Sequence, residues 1–182
     1  MLSLLKTEWL KIKTYRTFWA ILILYAILFP VANVLIANIN LQIKHADKNI
    51  ETIITNYYAF PDVWRAVCYV GGYFLLLPSI LIIILVTNEY AFRTHRQNVI
   101  DGWSRSEFIS GKLLMVVLLA IVSTVITIIA AFILGFKYSN AGEKDFFTNF
   151  YLVGNFFIQA LSYLLLAFIT AIIFKRSGVK DV

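Results

Sequence analysis

Two histidines, His45 and His95, one cysteine, Cys68, and two carboxylate–arginine pairs, Asp62 with Arg65 and Glu89 with Arg93, are the residues on which acid–base, nucleophilic or metal chemistry would have to rest. They are too few and too scattered for it. A lone thiol offers neither an internal disulfide nor a thiolate pair for zinc. The histidines are separated by an apolar run long enough to cross a membrane, so no triad or histidine-based metal site can assemble from them in one chain. Asp62/Arg65 at i,i+3 and Glu89/Arg93 at i,i+4 read as interfacial ion pairs rather than proton relays. The sequence also has no GxxxxGK[ST] phosphate loop, which removes ATP binding by that route. Neither a catalytic residue nor a bound cofactor or metal is expected of this chain.

What must position any functional residue is a set of membrane helices. The 182 residues are 60% hydrophobic and only 14% charged, with a mean hydropathy of +0.80, far from the roughly 25% charged of a soluble domain. Charge-free runs at 17–43, 66–88, 113–136 and 146–174 predict spans over residues 17–39, 66–88, 112–136 and 147–174, each near or above the ~20 residues that cross the hydrocarbon core. The fold expected is all-α, a single polytopic domain over 1–182. The first run is too long for a secretory signal and no small-residue cleavage site follows closely, so it stays as an anchor. Before it, "MLSLLKTEWLKIKTYR" places Leu2, Leu5, Trp9 and Ile12 at helical spacing among lysines, which predicts an interfacial helix over 1–16 or a basic flank continuing into the span.

The net charge of +6 is topological. With the N-terminus inside, Lys6, Lys11, Lys13, Arg16, Arg93, Arg96, Arg105, Lys112, Lys175, Arg176 and Lys180 face the cytoplasm and five basic residues lie outside. The positive-inside rule then puts both termini in the cytoplasm; the membrane expected is a bacterial cytoplasmic one. The basic excess meets lipid, not nucleic acid.

Within the spans, Pro30 and Pro78 each free a carbonyl four residues back and tend to kink the helix. Ser123, Thr127, Ala131 and Gly135 recur every four residues, a small-residue ridge for helix packing within the chain or with another subunit. Asn155, Gln159 and Ser162 share one face of the last span, as interhelical hydrogen bonders or candidate pathway lining. Beside them, Phe146, Phe147, Phe150, Tyr151, Phe156 and Phe157 hint at an amphiphilic cargo.

The most polar stretch is "NEYAFRTHRQNVIDGWSRSEFISGK", residues 88–112. Thr94 with Gln97 forms a capping box and Gly102 a stop, predicting a short helix over 94–101; Ser104 with Glu107 is a second box, and Trp103 with Phe108 a hydrophobic staple, starting span three near Ser104. A capped helix carrying Arg93, Thr94, Arg96, Val99, Ile100 and Trp103 presents a shaped surface for a cytoplasmic partner, or rests on anionic lipid.

This stretch, with "LLKTEWLKIKTYRTFW" before span one, resembles the permease subunits of type-2 ATP-binding-cassette (ABC) transporters. The matching residues are Glu89, Thr94 with Arg96, Ser104 with Arg105, and Gly111 with Lys112; "DGW" stands where many members carry a proline. The resemblance implies that 94–101 is the coupling helix docking on a nucleotide-binding ATPase subunit, which holds the ATP and Mg, and that a second permease copy or related permease completes the assembly. It implies a transport subunit, exporting its cargo, and not an enzyme. Family permeases usually have six spans, so two are expected to be missing through truncation or this is a short variant. The competing class is a non-transporting membrane scaffold, an assembly or immunity-type protein that binds another membrane protein.

Overall fold

The computed structural model describes residues 13, 15–46, 57–91, 105–139 and 146–177. Among these the chain is all helix and turn, with no strand. In our numbering α1 is Arg16–Ala46, α2 Val63–Phe74, α3 Leu76–Ala91, α4 Arg105–Tyr138 and α5 Tyr151–Ser177. Four stretches are long and apolar enough to span a membrane: Arg16–Ile39, Val63–Asn88, Ile109–Tyr138 and Tyr151–Ile173. The all-α, four-span architecture read from the charge-free runs is the one observed.

The two membrane prolines act differently. Pro30 lies inside an unbroken α1. Pro78 has no N–H for the Phe74 carbonyl and its ring crowds that carbonyl; the second span breaks at Leu75, between α2 and α3. The break is bridged locally. Leu75 N–H donates to the Gly71 carbonyl at 3.1 Å, and Ser79 returns both its N–H (3.1 Å) and its hydroxyl (2.8 Å) to the Leu75 carbonyl. Freed backbone groups inside a bilayer need such partners.

α5 is the central element, packed along α3, α4 and α2, whereas α1 rests on the second span and barely meets α4. Two outward faces are hydrocarbon through their middle, over residues 20–37 of α1 and 109–136 of α4. On α4, Ile109, Leu113, Val117, Ile121, Val125, Ile129 and Ile133 are exposed at every fourth position; on α1 the exposed side chains include Ile23, Ile27, Val31, Leu35 and Ile39. Lipid tails solvate such faces at no cost, so they need no protein cover.

Candidate functional site

Of the sequence-predicted docking residues, Arg93, Thr94, Arg96, Val99, Ile100 and Trp103 lie outside the described residues, as does most of the 1–16 segment. The flanks are visible. α3 ends at Ala91 and α4 begins at Arg105, and Gly111 and Lys112 are buried one to two turns into α4.

The small-residue ridge of α4 is turned inward. Ser123, Thr127 and Ala131 are buried, as is Gly135. Thr127 donates its hydroxyl back to the Ser123 carbonyl at 2.9 Å. Against these positions α1 sets Tyr25, whose hydroxyl reaches the neighbourhood of the Ser123 and Thr127 hydroxyls but forms no hydrogen bond of ordinary geometry. At the far end of the ridge, a Cβ on Gly135 would run into the ring of Phe60.

Phe60 is the hub of an aromatic cap formed by residues 57–62, the end of α4 and the start of α5. Its ring meets Phe146 at 4.9 Å, Phe136 at 5.6 Å, Trp64 at 6.1 Å and Phe132 at 6.4 Å. Trp64 is fully buried, lies edge-on to Phe132 and Phe150 at 5.1 and 5.0 Å, and donates its indole N–H to the Phe146 carbonyl at 2.7 Å. Such edge contacts match the ring quadrupoles. Polar bonds tie the same end to every span. Phe60 N–H donates to Ser139 Oγ at 2.8 Å, Tyr58 hydroxyl to Asn33 Oδ1 at 3.3 Å, Tyr138 hydroxyl to Asn38 Oδ1 at 2.9 Å and Asn149 Nδ2 to Asp62 Oδ1 at 3.3 Å. Burial, and after it the neighbouring Tyr138, pushes the Tyr58 phenol up to about 12.

Asn155, Gln159 and Ser162 are exposed on α5. Ser162 satisfies itself by donating to the Ile158 carbonyl at 2.9 Å. The amides of Asn155 and Gln159 make no hydrogen bond among the described residues. Gln159 nonetheless fixes the α2–α5 approach, since a Cβ on Gly72 would stand 2.9 Å from its Nε2. One residue earlier, a Cβ on Gly71 would stand 2.8 Å from Phe156 Cε2. Both glycines are buried and let α2 close onto α5.

This arrangement of four long apolar spans packed on one another agrees with the comparison by sequence: the family model described as ABC-2 family transporter protein matches residues 4–179. The chain belongs to that ABC-2 family. It is a permease-type membrane component of an ABC transporter, a transport component rather than an enzyme in itself. No curated protein and no solved structure matches it. ABC-2 permeases generally work with an ATP-binding subunit.

For this ABC-2 permease, three groups escape sequence reasoning. Tyr69 and Tyr73 of α2, exposed and hydroxyl-to-hydroxyl at 2.9 Å, stand beside the Gln159 face, and Tyr163 of α5 lies within electrostatic range of Tyr73. Their i,i+4 spacing is visible in the sequence, but their meeting with α5 is not. Phe60 as hub of the cap, and Tyr25 as an unpaired buried hydroxyl, likewise depend on which helices meet. The dipeptide Gly71–Gly72 in mid-span is the one sequence signal for the close approach of α2 to α5.

Proposed function

We propose that this ABC-2 permease is the membrane-spanning half of an exporter in a bacterial cytoplasmic membrane, with both termini in the cytoplasm and ATP and Mg bound by a separate ATPase subunit. The observation that carries the reading is the family match over 4–179 in a chain without a GxxxxGK[ST] loop. In this reading the segment 94–101 docks on the ATPase through Arg93, Arg96 and the apolar Val99, Ile100 and Trp103. Nucleotide binding there biases the helices between inward-open and outward-open populations.

The test is co-purification with the ATPase, comparing the native chain with one carrying Arg96→Glu and Ile100→Asp. The double variant reverses one charge of the basic rim and puts a carboxylate on an apolar contact, so association should be lost while insertion and helix content persist. Unchanged association by an inserted, folded double variant refutes the docking role.

A further inference from the structure

The outward faces of α1 and α4 are apolar over residues 20–37 and 109–136, but the α2/α5 face is not. Tyr69 and Tyr73 are 68% and 64% exposed, Tyr151 and Tyr163 63% and 39%, and Asn155 and Gln159 are exposed among them. The two stripes are joined where Gln159 meets Gly72. Depth sets this lane apart from an ordinary aromatic belt. α2 and α5 both start at the capped end, where Trp64 bonds the Phe146 carbonyl. At about 1.5 Å per residue, Tyr69, Gln159, Tyr73 and Tyr163 lie roughly 9, 12, 15 and 18 Å along their helices. Interfacial tyrosines belong at headgroup level, whereas the last of these sit near the middle of a ~30 Å core. Past Tyr163 the exposed side chains turn apolar: Leu165, Leu166, Ile169, Ile172 and Ile173, with Thr170 bonded to its own helix.

The Asn155 and Gln159 amides have no hydrogen bond among the described residues, and the Tyr69 and Tyr73 hydroxyls have only each other; such groups facing hydrocarbon to mid-depth are unfavourable, so this half-lane faces water or a hydrogen-bonding ligand. A second copy of the chain fits it less well. Close helix pairing in a bilayer uses small side chains, and here four tyrosines stand out from the backbone. Among the described residues the lane carries no charged side chain; Arg65 is exposed one turn before Tyr69, with Asp62 one turn before that.

Resting on the exporter reading above, we infer that Tyr69, Tyr73, Asn155, Gln159 and Tyr163 form the outer half of the cargo path. This half receives an amphiphile whose polar part is uncharged and rich in hydroxyl or amide groups. The phenols and amides replace the water around that polar part, and the apolar half below takes the hydrocarbon chain. With no carboxylate among the described residues of the lane, a cationic headgroup would be desolvated there without a partner.

The test uses single cysteines at Asn155, Tyr73 and Ile129 in a Cys68→Ala background, in proteoliposomes holding the permease with its ATPase. A membrane-impermeant anionic thiosulfonate should modify Asn155→Cys and Tyr73→Cys about tenfold or more faster than Ile129→Cys on the lipid face, because only the lane is wet. Dodecyl maltoside below its micelle concentration should slow both lane reactions, and dodecyltrimethylammonium should not. Lane rates equal to that of Ile129→Cys overturn the inference. So does a disulfide-linked dimer through Asn155→Cys, which would put a second copy on the lane, and so does equal protection by the cation, which removes the ligand class. Two lane positions at different depths keep the test decisive if one variant fails to insert. ATPase co-purification from the same membranes separates the readings: retained association with a dry lane sinks the lane alone, and lost association in the native chain sinks the exporter.

Discussion

Removing Trp64 tests whether the aromatic cap holds its end of the bundle together. The indole is fully buried between Phe60, Phe132 and Phe150 and gives its N–H to the Phe146 carbonyl at 2.7 Å. In a packed interior Trp→Ala costs about 3–5 kcal/mol, and a bared carbonyl about 1–3 kcal/mol. Within a bilayer part of the transfer-from-water contribution disappears, because lipid is as apolar as the core. We therefore expect about 3 kcal/mol for Trp64→Ala, the low end of that range. Trp64→Phe keeps most of the ring and loses only the donor, for about 1–2 kcal/mol.

Cys68, the sole cysteine, supplies the assay. It is buried one turn further along α2, so a membrane-permeant maleimide reaches it only when this end of the bundle opens. When opening equilibrates faster than labelling, the rate follows the open population, tenfold for each ~1.4 kcal/mol. Trp64→Ala should label on the order of 100-fold faster than the native chain, and Trp64→Phe roughly tenfold faster. An acceleration below about threefold for inserted Trp64→Ala refutes the cap as the holding element. Equal acceleration by Ala and Phe would show the hydrogen bond, not the ring packing, to be responsible.

Two further outcomes follow from the cap and the α2–α5 contact. Gly71→Leu drives a side chain into Phe156, whose Cε2 stands 2.8 Å from the new Cβ, and should destabilise by about 1–3 kcal/mol in detergent-induced unfolding; Gly154→Leu, with nothing within 4 Å, should leave the midpoint in place. The raised Tyr58 phenol means that the folded chain holds this proton more tightly than the unfolded one, so its contribution is fully present below pH ~10 and is lost as pH rises through about 12. Tyr58→Phe should flatten the loss of cap tryptophan fluorescence over that window, and an unchanged slope would refute the assignment.

The four spans were legible because a bilayer leaves the backbone few choices: a charge-free run of sufficient length must be a helix. The ridge Ser123–Gly135 was legible as a pattern for the same reason, since only a helix repeats every fourth residue on one side. Its neighbours were not. That Ser123 and Thr127 meet Tyr25, and Gly135 meets Phe60, depends on pairings between segments about 75 to 100 residues apart. Pro30 and Pro78 look alike in sequence, yet only the second interrupts its helix. Asn155 and Gln159 were recognisable as polar residues in a span, but their exposure beside Tyr69 and Tyr73 follows from α2 lying on α5 at Gly72.

The distribution of bulk through the four spans constrains where anything can cross. The positions between helices are filled: Trp64, Phe29, Phe156, Leu119 and Leu164 are each at most 1% exposed. At the capped end, four aromatic rings, Phe132, Phe136, Phe146 and Phe150, close around Phe60 and Trp64. A cargo of any size would have to displace that packing to pass through the middle, at the several kcal/mol per large side chain that core disruption costs. Movement along a surface carries no such penalty. Of the three outward faces, those of α1 and α4 offer only hydrocarbon to a polar group through their middle, over residues 20–37 and 109–136, and the α2/α5 face carries exposed amides and phenols to mid-depth. The physical asymmetry between these faces, more than any single residue, directs the search for a transported molecule to the second and fourth spans.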